Sequence, residues 1–159
     1  MGTDARHSRT VELHRARSQP IGGAGIGSGR HHAAMPISNH RELRVWRGAM
    51  DLVVLVYWLC ERLPRRETYG LSDQLRRAAV SVPANISEGA AKPYRKEYIR
   101  HLAIARGSLK EVETLLEVAR RVDMLADDEL RPADSQAMRV GRMLSALIRR
   151  LRQPATAAR

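Results

Sequence analysis

From Asn39 onward, apolar residues return at steps of three and four, the period of an amphipathic helix. Four such stretches follow one another. In the first, Trp46, Ala49, Met50, Val53, Val56, Tyr57 and Cys60 form one face, and Asn39 and Glu42 stand ahead of them at the spacing of a capping box. Pro64 ends this helix, and residues 65–70 make the connection. Ser72 is the expected cap of the second helix, whose buried stripe is Leu75, Ala79, Val82, Ile86 and Ala90. The third runs from about Tyr94 to Val122 through Tyr98, Leu102, Ala105, Leu109, Val112, Leu116 and Ala119. Asp127 or Asp128 opens the fourth, with Leu130, Ala137, Leu144, Leu147, Ile148 and Leu151 inward. Pro132 falls in about its first turn, where proline is tolerated. Short connections make neighbouring helices antiparallel. The expected fold is all-α: an antiparallel up-and-down four-helix bundle over residues 39–152, with a disordered tail at 153–159.

Residues 1–38 lack this pattern. Gly22, Gly23, Gly25, Gly27 and Gly29 are five of the eleven glycines in the chain, and Val11, Leu13, Ile21 and Ile26 are too sparse to bury a face. Such a segment cannot offset the entropy of ordering itself, so it reads as a disordered Arg/Gly/His-rich extension. No apolar core follows its arginines, which excludes a secretory signal. An organellar transit peptide fits the composition less well than a natural start at Met35. The glycine tract has neither the register of a dinucleotide fingerprint nor a strand and helix around it, and it reads as a flexible linker.

Composition narrows the function. A length of 159 residues fits one domain. Aromatics are 4% and Phe is absent, which disfavours a sheet protein and suits helices of Leu, Ala, Val and Met. Lys and Arg number 28 against 17 acids, a net charge of +11, so the expected partner is a polyanion. The longest apolar run, Leu52 to Cys60, is too short for a membrane span. Cys60 stands alone, which excludes an internal disulfide and a cysteine zinc site and suits a reducing cytoplasm. It reads as a small core hydrophobe. His31 and His32 are adjacent, His40 is isolated, and His101 is expected on a helix surface; none shows metal-ligand spacing. No acid, base and nucleophile can be grouped, so neither an enzyme nor a cofactor is expected.

Two features carry the candidate sites. Along the second helix Gln74, Arg77, Ser81, Asn85, Glu88 and Lys92 make a polar stripe that mixes amides and hydroxyls with charges. Beside it lie Ala78, Ala79, Ala84, Gly89, Ala90 and Ala91, and an interior glycine points to the close approach of another backbone or to a helix end. Together they suggest a helix packed on two sides, one of them a subunit contact. The second feature is a set of basic clusters: Arg62, Arg65 and Arg66 at the first connection, Arg76 and Arg77 one turn into the second helix, and Lys92, Arg95, Lys96 and Arg100 around the second connection. The last helix closes in Arg149, Arg150 and Arg152, where the helix dipole alone favours cations. Arginine outnumbers lysine 25 to 3, and its planar fork matches phosphate. Of the aromatics only Trp58, Tyr69 and Tyr94 are expected to be free for stacking, so binding through phosphate and shape is expected, with little base readout.

The stretch from Tyr69 through Gln74-Leu75-Arg76-Arg77 and Pro83-Ala84-Asn85-Ile86-Ser87-Glu88-Gly89 resembles the signature of the bacterial four-helix-bundle family named for the 23S rRNA intervening-sequence protein. Leu43 to Val53 is similar to its opening helix, and Ile104 to Thr114 to its third. The resemblance covers roughly Asn39 to Leu151. It implies a ring-like homopentamer without enzymatic activity, and a relation to the basic accessory protein of diversity-generating retroelements, which is thought to bind nucleic acid and a reverse transcriptase. By the same resemblance Gln74, Arg77, Ser81, Asn85 and Glu88 belong to the family motif, with a structural or assembly role at least as fitting as ligand contact. The expected function is a basic helical oligomer that binds RNA or DNA through Arg65, Arg66, Arg76, Arg77, Lys92, Arg95, Lys96 and Arg100. The alternative is a structural or adaptor oligomer that binds a protein partner, for example a reverse transcriptase, without touching nucleic acid.

Overall fold

A computed structural model describes residues 39–153. The proposed N-terminal extension, its glycine tract and the start at Met35 lie outside the described residues, as does the tail from residue 154. The described chain is four helices: α1 (Arg44–Cys60), α2 (Leu71–Ala90), α3 (Arg95–Arg121) and α4 (Asp127–Arg152). Single 3-10 turns at His40–Glu42 and Arg65–Glu67 are the other elements. Each helix packs on its neighbours in sequence, and α4 closes on α1. The α1–α2 and α3–α4 connections therefore share one end of the bundle. The start of α1, the α2–α3 connection and the end of α4 share the other.

The third helix forms as its periodicity predicts, because charged residues separate its apolar positions on every turn. All seven predicted inward residues, Tyr98 to Ala119, are buried. Its C-terminus closes with Asp123 in the left-handed region (φ 52). The Asp123 N–H donates to the Arg120 carbonyl (3.1 Å), and the Met124 N–H donates to that of Ala119 (3.0 Å). These two bonds satisfy carbonyls that the helix end would otherwise orphan. At the start of α4 the Glu129 carboxylate accepts the Ala126 N–H at 3.0 Å.

Three expectations need correction. Asn39 does not open α1: its Oδ1 accepts the Arg41 N–H at 3.0 Å and starts the 3-10 turn, and extended Leu43 (ψ 118) separates that turn from the helix. The face of α1 is turned from the expected one. Leu52 and Leu59 are buried with Val45, Ala49, Val56 and Cys60, whereas Met50 and Tyr57 are exposed and Trp46 is half-buried. Residues 52–60 are all apolar, so periodicity cannot choose the inward side. Ser72 is not a cap; it is buried inside α2, and its carbonyl accepts the Cys60 thiol at 3.6 Å. The Glu67 carboxylate instead accepts the Leu71 N–H (3.4 Å) at the helix start. Cys60 is buried, and burial pushes its thiol pKa up, against the opposing charge of Arg76 and the hydrogen bond to Ser72.

Glycines stand at two helix contacts, and the one on α2 sets the spacing. A Cβ on Gly89 would lie 2.7 Å from His101 Cβ and 2.8 Å from Tyr98 Cδ2, so α2 and α3 approach here as closely as a missing side chain allows. The close approach read from Gly89 is therefore present, but the neighbour is α3 of the same chain. On α1 a Cβ at Gly48 would meet Met143 Cε at 2.9 Å on α4. Gly107, by contrast, faces open space. Gly89→Val is expected to destabilise the bundle by about 1–3 kcal/mol through overpacking. Gly107→Ala is expected to stabilise it by about 0.5–1 kcal/mol by removing backbone entropy from the unfolded chain. Urea denaturation followed by circular dichroism reads both, and equal effects at the two glycines would contradict this assignment of roles.

Candidate nucleic-acid interface

The two ends of the bundle treat charge differently. At the α1–α2 end, cations and acids are balanced in number and several are paired. Arg120 bonds the carboxylates of Glu117, Asp127 (2.8 Å) and Asp134, tying the end of α3 to the start of α4. Its hydrogen bonds, to Glu117 foremost, hold the guanidinium pKa above its usual range. Hydrogen bonds from Arg121 and then Arg120 hold the Glu117 carboxyl below the usual carboxylate range. Arg62 lies 3.1 Å above the Trp58 ring and 3.5 Å from Glu129, so one of the three expected stacking aromatics is already covered. Four of the expected phosphate-binding residues are at this end. Arg66 and Arg77 meet Glu67 (3.9 Å) and Asp73 (3.2 Å), Arg76 stands over Tyr57 at 5.6 Å, and Arg65 is exposed.

The other four, Lys92, Arg95, Lys96 and Arg100, are at the opposite end, joined there by Arg149, Arg150 and Arg152. Arg95 Nη2 donates to the carbonyls of Arg150 (3.4 Å) and Gln153, so this side chain docks the end of α4 against the start of α3. Among the described residues only Lys92 of these seven has a carboxylate within 4 Å, Glu88 at 3.8 Å. Cutting each helix at its midpoint shows the asymmetry. Residues 39–51, 81–107 and 140–153, on the α2–α3 side, hold 12 Lys and Arg against four Asp and Glu. Residues 52–80 and 108–139 hold 10 against 11. Arg44, Arg47, Arg95 and Lys96 stand in first turns of helices, where the helix dipole disfavours cations. The dipole thus explains the arginines at the end of α4 but works against these.

The middle of the polar stripe of α2, from Ser81 to Glu88, falls along the α2–α3 seam, while Arg77 turns to Asp73 of its own helix. Ser81 Oγ and Ser108 Oγ are 2.8 Å apart, and Asn85 Nδ2 donates to the Ser81 carbonyl (2.9 Å) and to its Oγ (3.1 Å). Glu88 stands between Lys92 and His101, and Gln74 is exposed. His101, expected on the surface, is mostly buried against Gly89, with a side chain 12% exposed. Tyr98 beside it is 3% exposed, and burial pushes its phenol up to about 12.

Sequence reasoning missed two contributions from α4. Buried Gln136 donates to the Gly48 carbonyl at 2.6 Å and accepts from Arg139, fixing α4 on α1. A glutamine inside the apolar stripe of α4, and a glycine inside α1, were the available signals. Arg139 and Arg142 were also overlooked, because they stand singly in the sequence. Arg142 lines both surface troughs that flank α4, one against α3 and one against α1.

Among the described residues no group of three His, Cys, Asp or Glu could hold a metal ion. No described helix is long and apolar enough to cross a membrane. A sequence profile described as 23S rRNA-intervening sequence protein matches residues 41–146. The chain belongs to that family. The match begins just before α1 and ends within α4, so it takes in Gln136, Gly48 and the α2–α3 seam. A crystal structure from Bacteroides thetaiotaomicron VPI-5482, described as a protein of unknown function from the S23 ribosomal protein family, has the same fold. Its TM-score is 0.62 at 23% identity, covering 66% of this chain and 95% of the other. No curated protein matches.

The charge-matched end generates a pH dependence. A depressed Glu117 pKa adds stability above the usual glutamate value of about 4.3, and that stability is lost as pH falls through the lower folded value. Glu117→Gln should therefore destabilise the bundle at pH 7 and differ less from the parent at pH 3. Chemical denaturation at the two pH values checks this, and an undiminished difference at pH 3 would contradict it.

Proposed function

We propose that this protein is a non-enzymatic, basic helical module that binds RNA or DNA through phosphate contacts. One observation carries the reading: positive charge is concentrated on the α2–α3 half of the bundle, where among the described residues Lys92 alone of the clustered cations has a carboxylate partner. Ordinary solvated faces mix both signs, as the opposite half of this bundle does. The family name is consistent with a nucleic-acid role. Of the eight arginines and lysines expected to contact phosphate, Lys96 and Arg100 fit best. Arg95 is partly committed to the end of α4, and Arg66, Arg77 and Lys92 have acidic neighbours.

A second reading rests on a different observation. Met50, Val54, Tyr57 and Trp58 are exposed on α1, and Val54 and Trp58 border an apolar cleft of about 210 Å³ with Pro132 and Ala133. Such a stripe suits self-association or a protein partner. In this reading the module is a homo-oligomer, of which the pentamer implied by the resemblance is one form, and its charge serves solubility or an acidic protein.

Fluorescence anisotropy of the full chain with labelled RNA and DNA separates the two. Four or more phosphate contacts predict a loss of affinity of about 100-fold or more between 50 and 200 mM salt. The variant Lys92→Gln/Lys96→Gln/Arg100→Gln should weaken binding without loss of helicity. No binding at 50 mM salt, or binding indifferent to salt, would overturn the nucleic-acid reading and leave the partner reading.

A further inference from the structure

The outer ridge of α4 carries Arg139, Arg142 and Arg149, all exposed. After Asp134 this helix holds no carboxylate through its end at Arg152. A trough of about 570 Å³ runs along the α3 side of the ridge, with Arg106 and Lys110 on one wall, Arg142 and Arg149 on the other, and Leu109 and Gly141 between. A second trough of about 480 Å³ runs along the α1 side, where Arg44 and Arg47 face Arg139 and Arg142. Each trough contains one acid. Glu113 in the first is held by Lys110, and Asp51 is in the second.

Three physical points identify what such a surface takes. First, Arg44, Arg106, Arg142 and Arg149 have no carboxylate within 4 Å among the described residues. Their mutual repulsion is relieved only by solvent and counterions or by an anionic ligand. Arg142 lies ten residues before the end of α4, beyond the last turn where the helix dipole acts. Second, at 1.5 Å rise per residue the ridge places charges about 4.5 Å and about 10 Å apart along its axis. A ligand with one phosphate would use a single position, whereas a repeating polyanion uses all of them. Third, neither trough is lined by an aromatic side chain. Single strands are held by stacking bases on aromatic rings, and that source of affinity is missing here. A duplex presents one charge per ~1.7 Å of axis, about twice the density of one strand, and needs no stacking.

We propose that the α4 ridge and its two flanking troughs form a backbone-binding surface for double-stranded nucleic acid. The inference rests on the nucleic-acid reading above. It assigns that activity to the side of the bundle along α4 and names the duplex as the ligand. The shared chemistry of duplex RNA and duplex DNA is the paired phosphate backbone, and the experiment carries an arm for each.

The test is anisotropy of the full chain with a labelled duplex RNA, a duplex DNA and one of the single strands, each over a range of salt. The variant Arg106→Gln/Arg142→Gln/Arg149→Gln alters exposed side chains only, and circular dichroism checks that its helicity is unchanged. It should bind duplex on the order of 100-fold more weakly at 0.1 M salt, with a salt slope shallower by about two to three. Arg131→Gln, exposed at the opposite end of the bundle, should bind as the parent does. Losses on either duplex, or on both, support the ridge. If the parent binds duplex and the ridge variant keeps its affinity and slope, the ridge is overturned while the nucleic-acid reading stands. If single strands bind the parent more tightly than duplexes, the duplex assignment is overturned. If the parent binds none of the three at low salt, both readings fall together.

Discussion

A core made without a single Phe is thin, and the remaining structure follows from that constraint. Leu, Ala and Val fill nearly all of it, with Tyr98 as the one buried aromatic among the described residues. Helices that meet across such side chains come close, and at the α2–α3 crossing even a Cβ would be too large. Gly89 lets α2 reach Tyr98 and His101, while on α1 the Gly48 carbonyl receives the amide of Gln136. Short polar groups suit the same spacing. Ser81, Asn85 and Ser108 bond one another along the α2–α3 seam, where longer side chains would force the helices apart.

Close packing moves every charged group to the outer surface, and the chain then distributes them unevenly. At the α1–α2 end Arg120 gathers three carboxylates and joins α3 to α4. At the other end, cations converge from the start of α1, the start of α3 and the end of α4 with few acids among them. That arrangement opposes folding through self-repulsion, so an anionic ligand that relieves it also stabilises the bundle by mass action. Both troughs beside α4 run from that half across the middle of the bundle. The proposed surface rests on this charge distribution, because the similar solved structure is described as a protein of unknown function.

The sequence was most legible where charge and apolar residues alternate at helical period, as in α3, whose buried face was readable residue by residue. It was least legible in α1, because an apolar run has no preferred side until its neighbours are known. Ser72 carried the chemistry of a cap, but burial of Leu71 extended the helix ahead of it. Gly89 announced a close approach without saying that its partner was α3 of the same chain. Of the candidate site, only clusters contiguous in sequence could be read. The α4 ridge combines positions three and seven apart with residues from α1 and α3, and topology alone brings them together.

The central claim is that phosphates meet the α2–α3 half of the bundle and the ridge of α4. Arginine footprinting tests it most directly: the full chain is modified with phenylglyoxal with and without a saturating duplex, and each arginine is read by mass spectrometry. The account predicts protection of Arg100, Arg106, Arg142 and Arg149, with Arg65, Arg66, Arg121 and Arg131 modified equally in both states. Protection confined to the latter four, or spread evenly over both ends, would contradict it.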